Sequence, residues 1–141
     1  MVEATNEPGS VIIEREMAFP PERVWRAITQ PHLIEEWLMK CDFQAVEGHR
    51  FTLRRNPRPD VEIVIQGEVI KIDPPKTLSY SWSALELESI ITWTLTPTRG
   101  GTRVRLEHKG FRPDQKRAQA GATAAWRGFF VALEEVLGRM N

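Results

Sequence analysis

The stretch from Asp114 to Met140 reads DQKRAQAGATAAWRGFFVALEEVLGRM, and its apolar side chains recur every three or four residues. That is the period of an α-helix, and Asp114 directly after Pro113 is a plausible start signal. A helix of about 27 residues, rising about 1.5 Å per residue, would be roughly 40 Å long. An aromatic-rich stripe of that length needs a whole sheet to bury it.

The segments before this helix have the alternation and the β-branched residues of strands. Turns are predicted at Asn56–Asp60, Asp73–Pro75 and Gly100–Gly101. Gly67 predicts a bulge, because the apolar alternation changes phase there. The predicted strands are Ser10–Phe19, Asp42–Val46, Arg50–Arg55, Glu62–Ile72, Thr77–Ser83, Glu86–Thr96 and Thr102–Gly110.

Two short helices are predicted after the first strand. Pro20-Pro21 ends that strand and presets a helix start, with Glu22 where the helix dipole favours an anion. Pro31 closes this helix and opens a second one that runs to about Trp37. The order of elements predicts an α+β fold, in which a curved antiparallel sheet of six to seven strands wraps around the C-terminal helix. In this arrangement the short helices close one end and leave a cavity between helix and sheet.

Composition and charge narrow the function classes. The chain has 141 residues, and its 19 basic and 19 acidic side chains cancel, so nothing attracts nucleic acid or anionic lipid to the whole molecule. Its one cysteine, Cys41, excludes an internal disulfide and fits a reducing compartment. We find no signal peptide and no apolar stretch near the ~20 residues of a membrane span, so we expect a cytoplasmic protein. We expect residues 1–9 to be a disordered tail and residues 10–141 to form a single domain.

Several motifs, in this order and at these spacings, resemble a known family. Pro21–Thr29, with Pro31 and Trp37, is similar to the opening of the helix-grip (START-like, SRPBCC) superfamily, which includes lipid-transfer START domains, polyketide cyclases and the birch pollen allergen. The chain from Ser10 to Met140 resembles more closely the C-terminal domain of the activator of the heat-shock protein 90 ATPase and its homologues. The motifs that narrow the resemblance are Gly67–Val69, Ile72–Trp82, Thr102–Leu106, His108–Phe111 and Trp126 with Phe129, Phe130 and Leu133.

The inward faces of the predicted elements are rich in large rings, since the chain has five Trp and six Phe but one Tyr. Aromatic walls of this kind suit a ligand pocket, and the resemblance implies a cavity. The alternative is a filled core. The candidate ligand-binding residues are Trp37, Phe51, Tyr80, Trp82, Ile91, Trp93, His108, Trp126 and Phe130.

His108 is the most informative polar residue, because it lies where a strand would carry an aliphatic side chain. A buried imidazole requires a partner. It is a candidate to orient a ligand or to act as a base, and the alternative is a structural histidine bonded to a hydroxyl such as that of Tyr80 or Ser89.

Other chemistry lacks support in the sequence. The three histidines show no metal-ligand spacing, and no CxxC, HExxH, GxSxG, Walker or GxGxxG motif occurs, so we expect no metal, no cofactor and no catalytic constellation. Arg54, Arg55 and Arg58 form a basic patch too small to predict nucleic-acid binding. Exposed sheet edges leave a monomer and a homodimer both open.

Three functions follow in order of preference. The first is non-enzymatic binding of a small hydrophobic molecule between the sheet and the C-terminal helix. The second, implied by the resemblance, is a co-chaperone-like interaction with a heat-shock chaperone through the protein surface. The eukaryotic activator uses an additional N-terminal domain for a main chaperone contact, and only Met1–Gly9 precede the first predicted strand here. The third is a hydrolase or cyclase that uses His108.

Overall fold

The computed structural model describes residues 3–84 and 86–140. It contains a sheet of short and long strands, two short helices and one long helix. A single 3₁₀ turn, Pro113–Gln115, precedes the long helix. The elements are β1 (Glu3–Glu7), β2 (Ser10–Met17), α1 (Pro21–Thr29), α2 (Pro31–Trp37), β3 (Lys40–Cys41), β4 (Arg50–Arg58), β5 (Val61–Asp73), β6 (Thr77–Ala84), β7 (Leu87–Thr98), β8 (Gly101–Lys109) and α3 (Lys116–Arg139).

Within the described ranges, the strands form one antiparallel sheet in the order β1-β2-β8-β7-β6-β5-β4-β3. The long helix α3 packs on β2 and on both short helices. Arg15 of β2 also reaches Glu134 of α3, with its Nε donating to the carboxylate at 2.9 Å. The predicted α+β arrangement, with two short helices after a long strand and a long C-terminal helix, is confirmed.

One core joins the helices to the concave face of the sheet. The α3 stripe of Trp126, Phe130, Leu133 and Leu137 is at most 1% exposed. It belongs to the same buried cluster as the inward residues of β2 and β8. Each such side chain contributes about 1.5–3 kcal/mol when it is fully buried, so this stripe stabilises the fold far more than helix propensity does.

The N-terminus differs from the expected disordered tail. Glu3–Glu7 forms β1 and pairs with β2 from Glu7 opposite Ser10 to Glu3 opposite Glu14. Gly9 makes the tight turn between them at a φ of +77°, and its carbonyl accepts the N–H groups of Gly110 and Phe111. The polar composition that predicted disorder is also usual for an edge strand, which must not present an apolar edge to other chains.

Two loop boundaries were predicted wrongly. The segment Asp42–Val46 is not a strand, because the Asp42 carboxylate accepts the Thr52 N–H at 2.7 Å beside the short strand β3. The predicted turn Asn56–Asp60 is shorter, since β4 continues to Arg58, which pairs with Val61. Pairing along the hairpin overrides the turn-like composition, and proline is tolerated there because β3 does not extend along this part of β4.

The bulge in β5 exists but does not lie at Gly67. Gly67 pairs regularly with Phe51, whereas the extra residue is Ile70, between the pairs Val69–Tyr80 and Lys71–Ser79. Gly67 is needed for close approach, because a Cβ there would lie 2.4 Å from the Ser81 carbonyl oxygen.

Candidate functional site

All nine candidate ligand-binding residues are buried, and eight of them belong to one hydrophobic core cluster. The ninth, His108, contacts that cluster through the rings of Trp82 and Trp126. Alternation along the strands turns them inward, and the register aligns them across the sheet. Ile91, for example, lies opposite both Tyr80 and His108. Trp37 enters from α2, and Trp126 and Phe130 enter from α3.

Trp93 is the centre of this cluster and is fully buried. Its ring stacks on Phe130 with a centroid separation of 5.7 Å and an interplanar angle of 6°. Trp37 and Trp126 meet it edge-on at 5.7 and 6.0 Å. These separations are those of direct aromatic contact, so the rings around Trp93 fill the space between sheet and helix.

His108 is held in a chain of hydrogen bonds that fixes its protonation state. The Trp126 indole N–H can only donate, and it lies 3.0 Å from Nδ1 of His108, so Nδ1 accepts. Nε2 therefore carries the proton and donates to Ser89 Oγ at 2.7 Å. The Ser89 hydroxyl in turn donates to the carbonyl of Trp82 at 2.8 Å. Both ring nitrogens are thus satisfied by the protein, and the Ser89 partner considered from the sequence is the one observed.

Burial lowers the pKa of His108 from 6.5 to about 4, because the charged form loses its hydration. The imidazole is therefore neutral at physiological pH. A general base must accept a proton at a free nitrogen, and here the accepting nitrogen is occupied by Trp126. This arrangement favours the structural interpretation of His108 over a catalytic one.

Tyr80 lies at the other end of the cluster, near α2 and β4. Its hydroxyl oxygen accepts the Trp93 indole N–H at 3.0 Å. The rings of Phe51 and Phe43 stand edge-on to the Tyr80 ring at 5.3 and 5.9 Å. Burial raises the pKa of Tyr80 well above its usual range, so the phenol stays protonated.

An interior cavity of about 10 Å³ lies beside Tyr80. It has room for about one water molecule, whereas pockets for drug-sized ligands measure roughly 300–1,000 Å³. The ligand-sized cavity expected from the sequence is therefore closed in this structure, and ligand contact by the nine residues stays a prediction. The cavity is lined by Ile28, Ile34, Trp37, Leu38, Phe43, Phe51, Leu53 and Tyr80.

Phe43 closes this space and was missed by the sequence analysis. It is 2% exposed although it lies in the loop of residues 42–49, between β3 and β4. Its ring meets Phe51 edge-on at 5.1 Å. The signal available in the sequence is the one aromatic residue of this segment, placed between the polar residues Asp42 and Gln44.

Larger hollows lie on the surface. One of about 580 Å³ lies at the outer face of the sheet beside Ser83, Ile90 and Lys109. Another of about 300 Å³ lies among the three helices beside Arg26 and Arg139. Both are open to solvent and are lined by mixed polar and apolar groups, so neither provides the aromatic enclosure that the sequence predicts.

Across residues 3–84 and 86–140, no cluster of three His, Cys, Asp or Glu side chains is placed to hold a metal ion. In the same ranges, no helix is both long enough and apolar enough to cross a membrane. Cys41 is free, and burial raises the pKa of its thiol, which makes it a poor nucleophile.

A curved antiparallel sheet closed over a long C-terminal helix, with two short helices at one end, defines the helix-grip class of proteins. Solved structures confirm this class. A crystal structure of a protein from Rhodobacter sphaeroides aligns with 100% of both chains at a TM-score of 0.89 and 22% identity. CalU16 from Micromonospora echinospora aligns with 97% of this chain and 83% of its own, at a TM-score of 0.77 and 22% identity.

The chain belongs to the family described as activator of Hsp90 ATPase homolog 1-like proteins, whose pattern matches residues 18–138. Protein MLL2253 from Mesorhizobium loti is similar at 49% identity. Its crystal structure aligns with 94% of this chain and 98% of its own, at a TM-score of 0.86. A comparison with curated proteins found no match.

Proposed function

We propose that this protein binds a small, mainly apolar molecule, without catalysing a reaction, between the sheet and the helices at the Tyr80 end of the core. The observation that carries the proposal is that a loop side chain, Phe43, fills this position. Every other wall of the space is built from α1, α2, β4 and β6 or from Leu38, which directly follows α2. A ligand can therefore replace one ring without dismantling an element of the fold.

The loop that carries Phe43 is held by exposed side-chain hydrogen bonds and, at its far end, by two backbone hydrogen bonds to Val69 of β5. Thr52 N–H donates to Asp42, and Ile72 N–H donates to Glu47 at 3.3 Å. Each such bond has a net value of about 0.5–1.5 kcal/mol, because water competes for both partners. Local opening of low-stability loops of this kind is common at binding sites.

The cost of opening bounds the affinity. Exposing a buried Phe costs about 1.5–3 kcal/mol, so the open form is roughly one to two orders of magnitude less populated than the closed form. The apparent affinity falls by the same factor. A ligand that buries a ring of the same size offsets the free energy lost when Phe43 is exposed. A ligand that buries more apolar surface than Phe43 binds with a net gain.

Among the nine candidates, Trp37, Phe51 and Tyr80 border this space directly. The remaining six candidates do not line this space and lie deeper in the core or toward its His108 end. We therefore assign ligand contact to the first three, together with Phe43 as the displaced group.

A thermal-shift screen of the wild-type protein against hydrophobic metabolites and lipids tests the proposal. A ligand at a hundred times its dissociation constant stabilises the folded state by about 2.7 kcal/mol. We expect the shift to shrink in Phe51→Leu and to persist in Phe111→Leu. Phe111 is the matched control because it lies at the His108 end of the core, with its ring centroid 4.8 Å from that of His108. No shift with any compound, or equal loss in both variants, would contradict the proposal.

The family description supports a second candidate, an interaction with a heat-shock chaperone through the protein surface. This function needs no internal cavity and is compatible with the filled core. A pull-down with the chaperone and a measurement of its ATPase rate test it, and absence of both binding and rate change would end it. Whether the protein acts as a monomer or a homodimer is measured in the same samples by light scattering.

A further inference from the structure

Resting on the proposed function, we infer that the bound molecule is neutral and carries one hydrogen-bond acceptor, such as a carbonyl, ether or nitrile group, which receives the proton of the Tyr80 hydroxyl. The apolar body of the ligand takes the place of the Phe43 ring. The acceptor takes the place of the small cavity.

The Tyr80 hydroxyl is only half used by the protein. The residue is 5% exposed, and its oxygen accepts the Trp93 N–H. A phenol also donates one hydrogen bond, and no group in residues 3–84 or 86–140 is observed to accept it. A buried donor without an acceptor is unfavourable and marks a place where a water or a ligand group belongs.

The remaining lining of the cavity offers no competing polar anchor. The Trp37 indole N–H, the other polar side-chain group there, already donates to the carbonyl of Ala27 at 2.8 Å. The other lining side chains are aliphatic or phenyl groups. Tyr80 thus supplies the one side-chain hydrogen bond available among the lining residues.

The character of this donor decides the class of acceptor. The Trp93 N–H polarises the Tyr80 hydroxyl, and a hydrogen bond received by an oxygen strengthens the one it donates. None of the side chains that line the cavity is cationic, and a carboxylate buried among phenyl rings without a counter-charge loses its hydration uncompensated. A neutral acceptor on an apolar body is therefore favoured over a fatty acid anion.

Two probes of nearly equal shape test the assignment in the Phe43→Ala variant, which opens the space. Toluene and benzonitrile share a ring, and only benzonitrile has an acceptor. Calorimetry gives the dissociation constant of each, in Phe43→Ala and in Phe43→Ala/Tyr80→Phe. We expect removal of the hydroxyl to weaken benzonitrile relative to toluene by about fivefold, the equivalent of one hydrogen bond. The nitrile stretching band should be that of a hydrogen-bonded nitrile only where Tyr80 is present.

An unchanged ratio of the two constants, a free-nitrile band in both variants, or no binding of either probe overturns the inference. If Phe43→Ala does not fold, the same pair of probes is measured in Phe43→Leu with and without Tyr80→Phe. Tyr80→Phe also frees the Trp93 N–H, which can donate to benzonitrile but not to toluene, so the change in the ratio is a lower bound on the contribution of the hydroxyl. The proposed function fails separately, when the wild-type protein binds no compound in the thermal-shift screen.

Discussion

Acidification should destabilise the protein through His108. The pKa is 6.5 for the unperturbed side chain and about 4 in the folded protein, so the unfolded state takes up the proton first as the pH falls. The stability contributed by the neutral imidazole is fully present above pH 6.5 and is lost progressively as the pH falls toward 4. From these two values, the loss between pH 8 and pH 5 is about 2 kcal/mol.

Urea unfolding at pH 8, 7, 6 and 5 measures this loss, with His108→Gln as the comparison. Glutamine can accept from Trp126 and donate to Ser89 but does not titrate in this range. The wild-type minus variant difference in unfolding free energy should therefore fall by about 2 kcal/mol toward pH 5, while carboxylate titrations cancel. A difference that stays constant within about 0.5 kcal/mol would refute the neutral, buried histidine.

Two further substitutions test the packing. Gly67→Ala should lower the free energy of unfolding by about 1–3 kcal/mol, because the new Cβ would clash with the Ser81 carbonyl and the Phe51 ring. Urea denaturation measures this loss. An unchanged free energy of unfolding would mean that β5 and β6 are further apart than described. Tyr80→Phe should lower the free energy of unfolding by about 1–3 kcal/mol, because the buried Trp93 N–H loses its acceptor. An unchanged midpoint of urea denaturation would show that this hydrogen bond is not formed.

The sequence predicted the parts of the fold that depend on periodicity. The α3 stripe at Trp126, Phe130 and Leu133 has helical spacing, and the strand faces alternate, so each pattern has one buried solution. Pro21 and Pro31 predicted the starts of the two short helices, because proline is favoured at the first position of a helix. Where pairing with a neighbour decides the structure, as for β1 and for β4 beyond Arg55, local composition pointed the wrong way.

The candidate site was predicted in composition but not in volume. Inward-facing rings follow from alternation, yet whether they leave a cavity depends on how they interlock. The stacking of Trp93 on Phe130 is a tertiary property of two elements far apart in the chain. Phe43 was missed because its loop has no period, and only the folded structure shows that a loop side chain completes an interior wall.

A ligand that enters by displacing Phe43 changes the surroundings of its ring, and the NMR signals of that ring report the change. In the closed form this ring lies edge-on against Phe51 and Tyr80, so its signals are shifted by their ring currents. On titration of the wild-type protein with the compounds that raise its melting temperature, we expect the Phe43 signals to move to the values of a solvent-exposed ring while those of Trp93 change little. Saturation of the protein with the Phe43 signals unmoved, or no compound that moves them, would contradict it.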